Sequence, residues 1–108
     1  MTTEQFLEVL RSPTRKELNV SMRQAVAHFL YKNNTPVAII ARSMRMTRGT
    51  IYNSIYRQAS LMECNDRLAM SANDEIANHK IVVRPKLVGS DVCIIPAGYA
   101  LVIDNVIF

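Results

Sequence analysis

From Thr47 to Arg57 the chain reads T-R-G-T-I-Y-N-S-I-Y-R, with Ile51 and Ile55 four residues apart. That spacing marks one apolar face of a helix. The residues that fall elsewhere on such a helix are Thr47, Arg48, Thr50, Tyr52, Asn53, Tyr56 and Arg57, and none of them is a carboxylate. Guanidinium, amide and hydroxyl groups in a row suit phosphate oxygens and the edges of bases. Arginine meets a guanine edge with two parallel donors, asparagine pairs with an adenine edge, and threonine reaches phosphate or a thymine methyl. The row therefore predicts a helix laid against double-stranded DNA. Thr47, Arg48, Thr50, Tyr52 and Asn53 are the expected base-edge contacts. Arg42, Arg45, Tyr56 and Arg57 are the expected backbone contacts, which position a protein without specifying sequence.

A helix with that outer face needs a support behind it, and the preceding residues supply one. Thr35-Pro36 is a helix start, with Thr35 as cap and proline in a first turn that needs no donor. Val37, Ile40, Ala41 and Met44 then recur at spacings of three and four. Thr47 caps the second helix. Two short helices separated by about four residues make a helix-turn-helix, whose second helix enters a major groove. Ala41 supplies the small side chain needed where the helices cross, and Ile51 and Ile55 point into the angle between them. Paired amphipathic helices also occur in proteins that never touch nucleic acid, so charge decides between the readings. Up to Met62 there are nine Lys/Arg against three acids, whereas from Glu63 onward four basic residues face six acids. The basic half is the half that holds the helix pair, as a phosphate-bearing partner requires.

Upstream, Thr2 and Gln5 form a capping box for a first helix that Ser12-Pro13 ends. Arg15 to Val20 reads as a basic connector or a single turn. Ser21 to Gln24 reads as a second capping box opening a helix to Tyr31, and Asn33-Asn34 breaks it. Val26, Phe29, Ile40, Ile51 and Ile55 are the expected core. Downstream, the second helix of the pair runs on or bends through Met70, and the polar stretch from Ser71 to Lys80 reads as turn and connector, with room for a short helical turn at Asp74 to Ala77. Short β-branched runs follow, at 81–83, 87–88, 92–95 and 101–108, punctuated by Pro85, Gly89-Ser90 and Pro96-Ala97-Gly98. The expected architecture is α+β: a helical DNA-binding unit at 1–62, a helix end and connector at 63–79, and a small β-rich module at 80–108. A sheet this short is marginal alone and its edge is apolar. It either packs on its own helices or is completed by a second copy, and a homodimerisation module is the reading adopted.

Other classes find little support. There are no paired carboxylates with nearby bases, no Cys-His or Ser-His arrangement of known spacing, and no glycine-rich phosphate loop, so no catalytic residue is expected. Cys64 and Cys93 have no metal-ligand spacing and read as ordinary thiols; His28 and His79 receive no role. No metal, cofactor or small-molecule ligand is expected. No apolar run nears the roughly 18 residues of a membrane span, and a cytoplasmic location is expected.

The segment M-T-R-G-T-I-Y-N-S-I-Y-R resembles the helix-turn-helix of the TrfB/KorA-type repressors of broad-host-range plasmids. The opening T-x-x-Q-F at Thr2 to Phe6 and the stretch I-P-A-G-Y-A-L-V from Ile95 are also similar to that family. The resemblance implies a dimeric transcriptional repressor of a plasmid, phage or related element, with Thr47, Arg48, Tyr52, Asn53 and Arg57 facing the groove. Arg45 departs from the pattern: it stands where such turns often have glycine, so the turn needs either a non-glycine residue at positive φ or a different shape. A second reading keeps the same elements but makes them a protein-interaction or recombination-accessory module that docks a partner protein.

Overall fold

A computed structural model describes the backbone of residues 1–89 and 94–108, with side chains for 1–86 and 98–108. Among these residues the fold is α+β. Five helices, α1 (Thr3–Arg11), α2 (Glu17–Lys32), α3 (Val37–Met44), α4 (Arg48–Glu63) and α5 (Arg67–Ala77), precede the strands β1 (Ile81–Gly89), β2 (Ile94–Ile103) and β3 (Val106–Ile107). The sheet is antiparallel in the order β1-β2-β3.

Local chemistry accounts for most boundaries. Thr2 caps α1 reciprocally with Gln5, and Ser12, ahead of Pro13, ends it in extended geometry. Helices α2, α3 and α4 stop by one device. Asn34, Arg45 and Asn65 adopt positive φ, and the next residue donates its N–H back to the carbonyl five positions earlier, at Leu30, Ala41 and Leu61. This closes the last turn and satisfies carbonyls that the helix leaves open. Asparagine tolerates that geometry; arginine does so at a cost, and Arg45, at φ 58°, carries the strain expected of it.

The helices and the first half of the sheet share one core. Phe6, Leu10, Met22, Val26, Ile40, Met44, Ile51, Ile76, Leu101 and Ile103 are all buried in a single cluster, which Phe29 and Val83 flank. Ile81 pairs with Ile103 and Val83 with Leu101, so these alternate residues share the sheet face turned to the helices.

Four expectations change. Helix α2 starts four residues before Ser21, at Glu17, with no side-chain cap at Lys16. Asn19 and Arg23 explain this by holding the segment down: Asn19 donates to the Val9 carbonyl and Arg23 to those of Ser12 and Thr14. Ser21 is therefore buried mid-helix, and its hydroxyl has no protein partner. Thr35 makes no cap; Pro36 itself is the cap residue of α3. The stretch expected as connector at 71–80 is mostly helix α5, capped by Asp66, whose carboxylate accepts from the Ala69 N–H. Its inner face is only Ala69, Ala72 and Ile76, which is too little apolar surface to stand out in the sequence. Finally, Pro96-Ala97-Gly98 does not end a strand. β2 runs through it, and the register slips between Lys86 and Leu87, leaving Ala97 without a partner. A one-residue bulge absorbs what read as punctuation. The expected run at 92–95 lies partly outside the described residues, as does Cys93.

One cluster ties the last turn of the sheet to the helices. Asp104 and Asn105 both take positive φ between β2 and β3, the backbone of a tight two-residue turn. The Asp104 carboxylate accepts from the Thr3 hydroxyl at 2.7 Å, from the Lys80 N–H at 2.8 Å and from His79 Nδ1 at 2.6 Å. The second His79 nitrogen faces Glu75 at 3.1 Å, and the ring stacks on Phe6 with centroids 4.5 Å apart. A ring with carboxylates at both nitrogens donates from both only as imidazolium. Burial opposes that charge, but the bonds to Asp104 and Glu75 outweigh it and hold the His79 pKa above its ordinary value. The same His79 bond, with those from Lys80 and Thr3, lowers Asp104 to about 2.

Candidate nucleic-acid interface

Helix α4 begins where the sequence places it. Thr47 is its cap, and its hydroxyl oxygen accepts from the Thr50 N–H at 3.2 Å. The two threonine hydroxyls also bond to each other at 2.9 Å. Of their two protons one lies between them, which leaves one for an outside acceptor. Thr47 is thus a structural residue of the helix start.

The helix is seated by Ile51, Ile55 and Gln58, all buried. Gln58 is fully enclosed and ties α4 to α5 through its amide N–H and the Ala69 carbonyl, while its own oxygen has no protein partner. Seating these three fixes the other side. Thr47, Arg48, Thr50, Tyr52, Asn53, Tyr56 and Arg57 are all exposed, and so are Arg42 and Arg45 just before the helix. The nine residues singled out in the sequence therefore occupy one continuous segment, with every one of them at the surface. Tyr52 is 60% exposed and Tyr56 78%, high values for aromatic side chains that bury well.

Charge completes the picture. Among the described residues no lysine or arginine forms an ion pair with a carboxylate; the ion pairs present involve the chain's amino terminus and His79. Part of the basic first half is nevertheless used internally. Arg23 holds the α1–α2 connection, and Arg11 donates to the Ile107 carbonyl. Among the described residues Arg42, Arg45, Arg48 and Arg57 form no such hydrogen bond.

Of the recesses that flank α4, those on either side of Asn53 add residues that the sequence did not single out. On one side a groove of about 490 Å³ is lined by Tyr52, Asn53 and Tyr56 from α4 and by His28, Tyr31 and Lys32 from α2. Burial, and then the charge of Lys32, lower the pKa of His28, which favours its neutral ring. On the other side Thr50, Asn53, Ser54 and Arg57 face Arg23 and Gln24 across a cleft of about 270 Å³. Asn53 borders both and so lies on the ridge between them. Tyr31 and Lys32 were legible only as the end of a helix; that they would stand beside α4 depends on how α2 and α4 pack.

Gly49 sits in the first turn of α4, and an added Cβ would meet nothing within 4 Å. Neither packing nor backbone geometry within the protein asks for glycine here. It leaves the start of the helix bare.

Among the described residues no group of three or more His, Cys, Asp or Glu is placed to hold a metal ion, and no helix is long and apolar enough to cross a membrane. Comparison with protein-family models, with curated proteins and with solved structures finds no match for this chain.

Proposed function

We propose that the chain is a sequence-specific DNA-binding regulator in which α3 and α4 act as a helix-turn-helix and α4 reads the major groove. One observation carries this reading: a surface row of donors from Arg42 to Arg57, without a carboxylate of its own and, among the described residues, without an acid paired to its cations. Surface cations left unpaired on one segment are what a phosphate-bearing ligand neutralises. Arg48, in the first turn, is the candidate for bidentate contact with a guanine, and Asn53 on the ridge for an adenine edge. Arg42, Arg45, Tyr56 and Arg57 anchor the backbone on either side. The bare first turn at Gly49 lets the duplex approach the helix closely.

A dimer presenting two such helices matches a pseudo-palindromic operator with half-sites about one helical turn apart. The short strand β3 supports a pairing surface, since Val106 and Ile107 are 44% and 63% exposed at the edge of the sheet. Repression by covering a promoter, within the cytoplasm of a bacterium carrying a plasmid or phage, is the role that the T-R-G segment and its resemblance favour. Titration of a selected operator tests the assignment. Arg48→Ala should cost about 1–3 kcal/mol and relax preference at one base pair; unchanged affinity and preference would sink it.

The groove between Tyr31, Tyr52 and Tyr56 favours one second reading, a module that docks a partner protein, because exposed aromatics concentrate at protein interfaces. That reading predicts DNA binding that is weak, steep in salt and indifferent to sequence.

A further inference from the structure

Beside the turn that precedes α4, three parts of the chain distant in sequence come together. Arg42 and Arg45 from the end of α3, Lys86 from β1, Tyr99 from β2 and Phe108 after β3 line a recess of about 100 Å³. Among the described residues its lining holds three cations and no carboxylate. The Phe108 ring gathers a fourth: the guanidiniums of Arg45 and Arg11 each lie 5.9 Å from its centroid, within cation–π range. Arg11 is fixed there by its 2.8 Å bond to the Ile107 carbonyl. Like charges collected around one recess repel, and among the described residues no acid pairs with them. An anion supplied from outside removes that cost.

The position of the recess selects the anion. Arg45 lies two residues before the Thr47 cap and three before Arg48, a reach of at most about 11 Å. Over that distance a duplex offers several phosphates, since one lies at every ~1.7 Å of its axis. We propose that the recess grips a backbone phosphate of the duplex that α4 reads, making β1 part of the DNA footprint. Lys86, exposed at the rim of the recess, reaches the phosphate. This inference rests on the reading of the chain as a duplex-DNA binder. The competing role for Arg84, Pro85 and Lys86 is to guard the open edge of β1 against pairing, which needs charge but no phosphate.

The experiment titrates labelled duplexes, one carrying the site enriched from random DNA and one scrambled, over a range of salt. The proteins are wild type, Lys86→Ala, the double variant Arg42→Ala/Lys86→Ala, and Arg67→Ala on α5 as the control. All the substituted side chains are exposed, and thermal melts confirm that each variant is folded. Lys86→Ala should weaken both duplexes by the same factor, roughly tenfold near 0.1 M salt. It should also reduce the slope of log Kd against log salt by about one, with base preference intact. The double variant should lose more, and Arg67→Ala should change nothing. Wild-type discrimination together with an unchanged slope in both recess variants would overturn the recess and leave the reading of α4 standing. A wild type that binds no duplex would overturn both. If millimolar inorganic phosphate moves the Tyr99 and Phe108 NMR signals while the duplex slope ignores Lys86, the site takes free phosphate and the DNA assignment is wrong.

Discussion

Around His79 every polar group has a partner within the protein. Asp104 receives three hydrogen bonds, both imidazole nitrogens meet carboxylates, and the ring stacks on Phe6. Along α4 the reverse holds. Thr47 and Thr50 satisfy each other, but among the described residues the arginines from Arg42 to Arg57 meet no acid, and Tyr52 and Tyr56 stand in solvent. Both regions hold polar residues in a small protein, and only their satisfaction separates them. Where each donor already has an acceptor, the cluster holds the fold. Where a segment keeps its donors open, it is available to a ligand.

That contrast breaks most visibly at Asp104. Asp104→Ala removes the acceptor for Thr3, Lys80 and His79 together and should cost about 2–3 kcal/mol of stability, at a net of roughly 1 kcal/mol or less for each bond. Chemical denaturation measures it, and the base preference of the folded fraction should not move. A preference that did change would mean that the cluster and α4 are not separate in function.

Gly49→Ala sharpens the contrast from the other side, with a smaller effect. The Cβ meets nothing, so less freedom in the unfolded chain should raise stability by about 0.4–1 kcal/mol. If the duplex comes close to the first turn of α4, affinity should fall in the same variant. A stabilised protein with full affinity would place the DNA further away.

The smallest effect is in pH. Because the folded pKa of His79 lies above 6.5, its contribution is complete below that value and is lost as pH rises through the folded one. Asp104 acts oppositely: its contribution is complete above 3.8 and is lost as pH falls through about 2. Melting temperature should therefore sag as pH rises past 6.5 in wild type and less in His79→Ala. Equal slopes would mean that His79 is neutral in the fold.

Much of the α4 surface was legible because its signals are local. A cap at Thr47, two isoleucines four apart and the absence of acids all lie within eleven residues. The capping box at Thr2 and the stop before Pro13 were legible for the same reason. The His79 cluster was not, because its partners lie 25 and 101 residues apart in the chain. The recess at Lys86 is hidden for the same reason, although the acid-free Arg84-x-Lys86 on an edge strand is a local sign of it. The start of α2 differs from the expected one because Ser21 to Gln24 imitates a capping box that Arg23 and Asn19 override through contacts with the preceding segment. For α5 the start signal was present at Asp66, but an inner face made of alanines hid the period.

The most direct test of the central claim is the affinity of wild-type protein for a duplex enriched from random sequence, set against a scrambled one at physiological salt. The account predicts a pseudo-palindromic site bound at least about a thousandfold more tightly than the scrambled duplex. Enrichment of no site, with both duplexes bound equally and weakly, would contradict it.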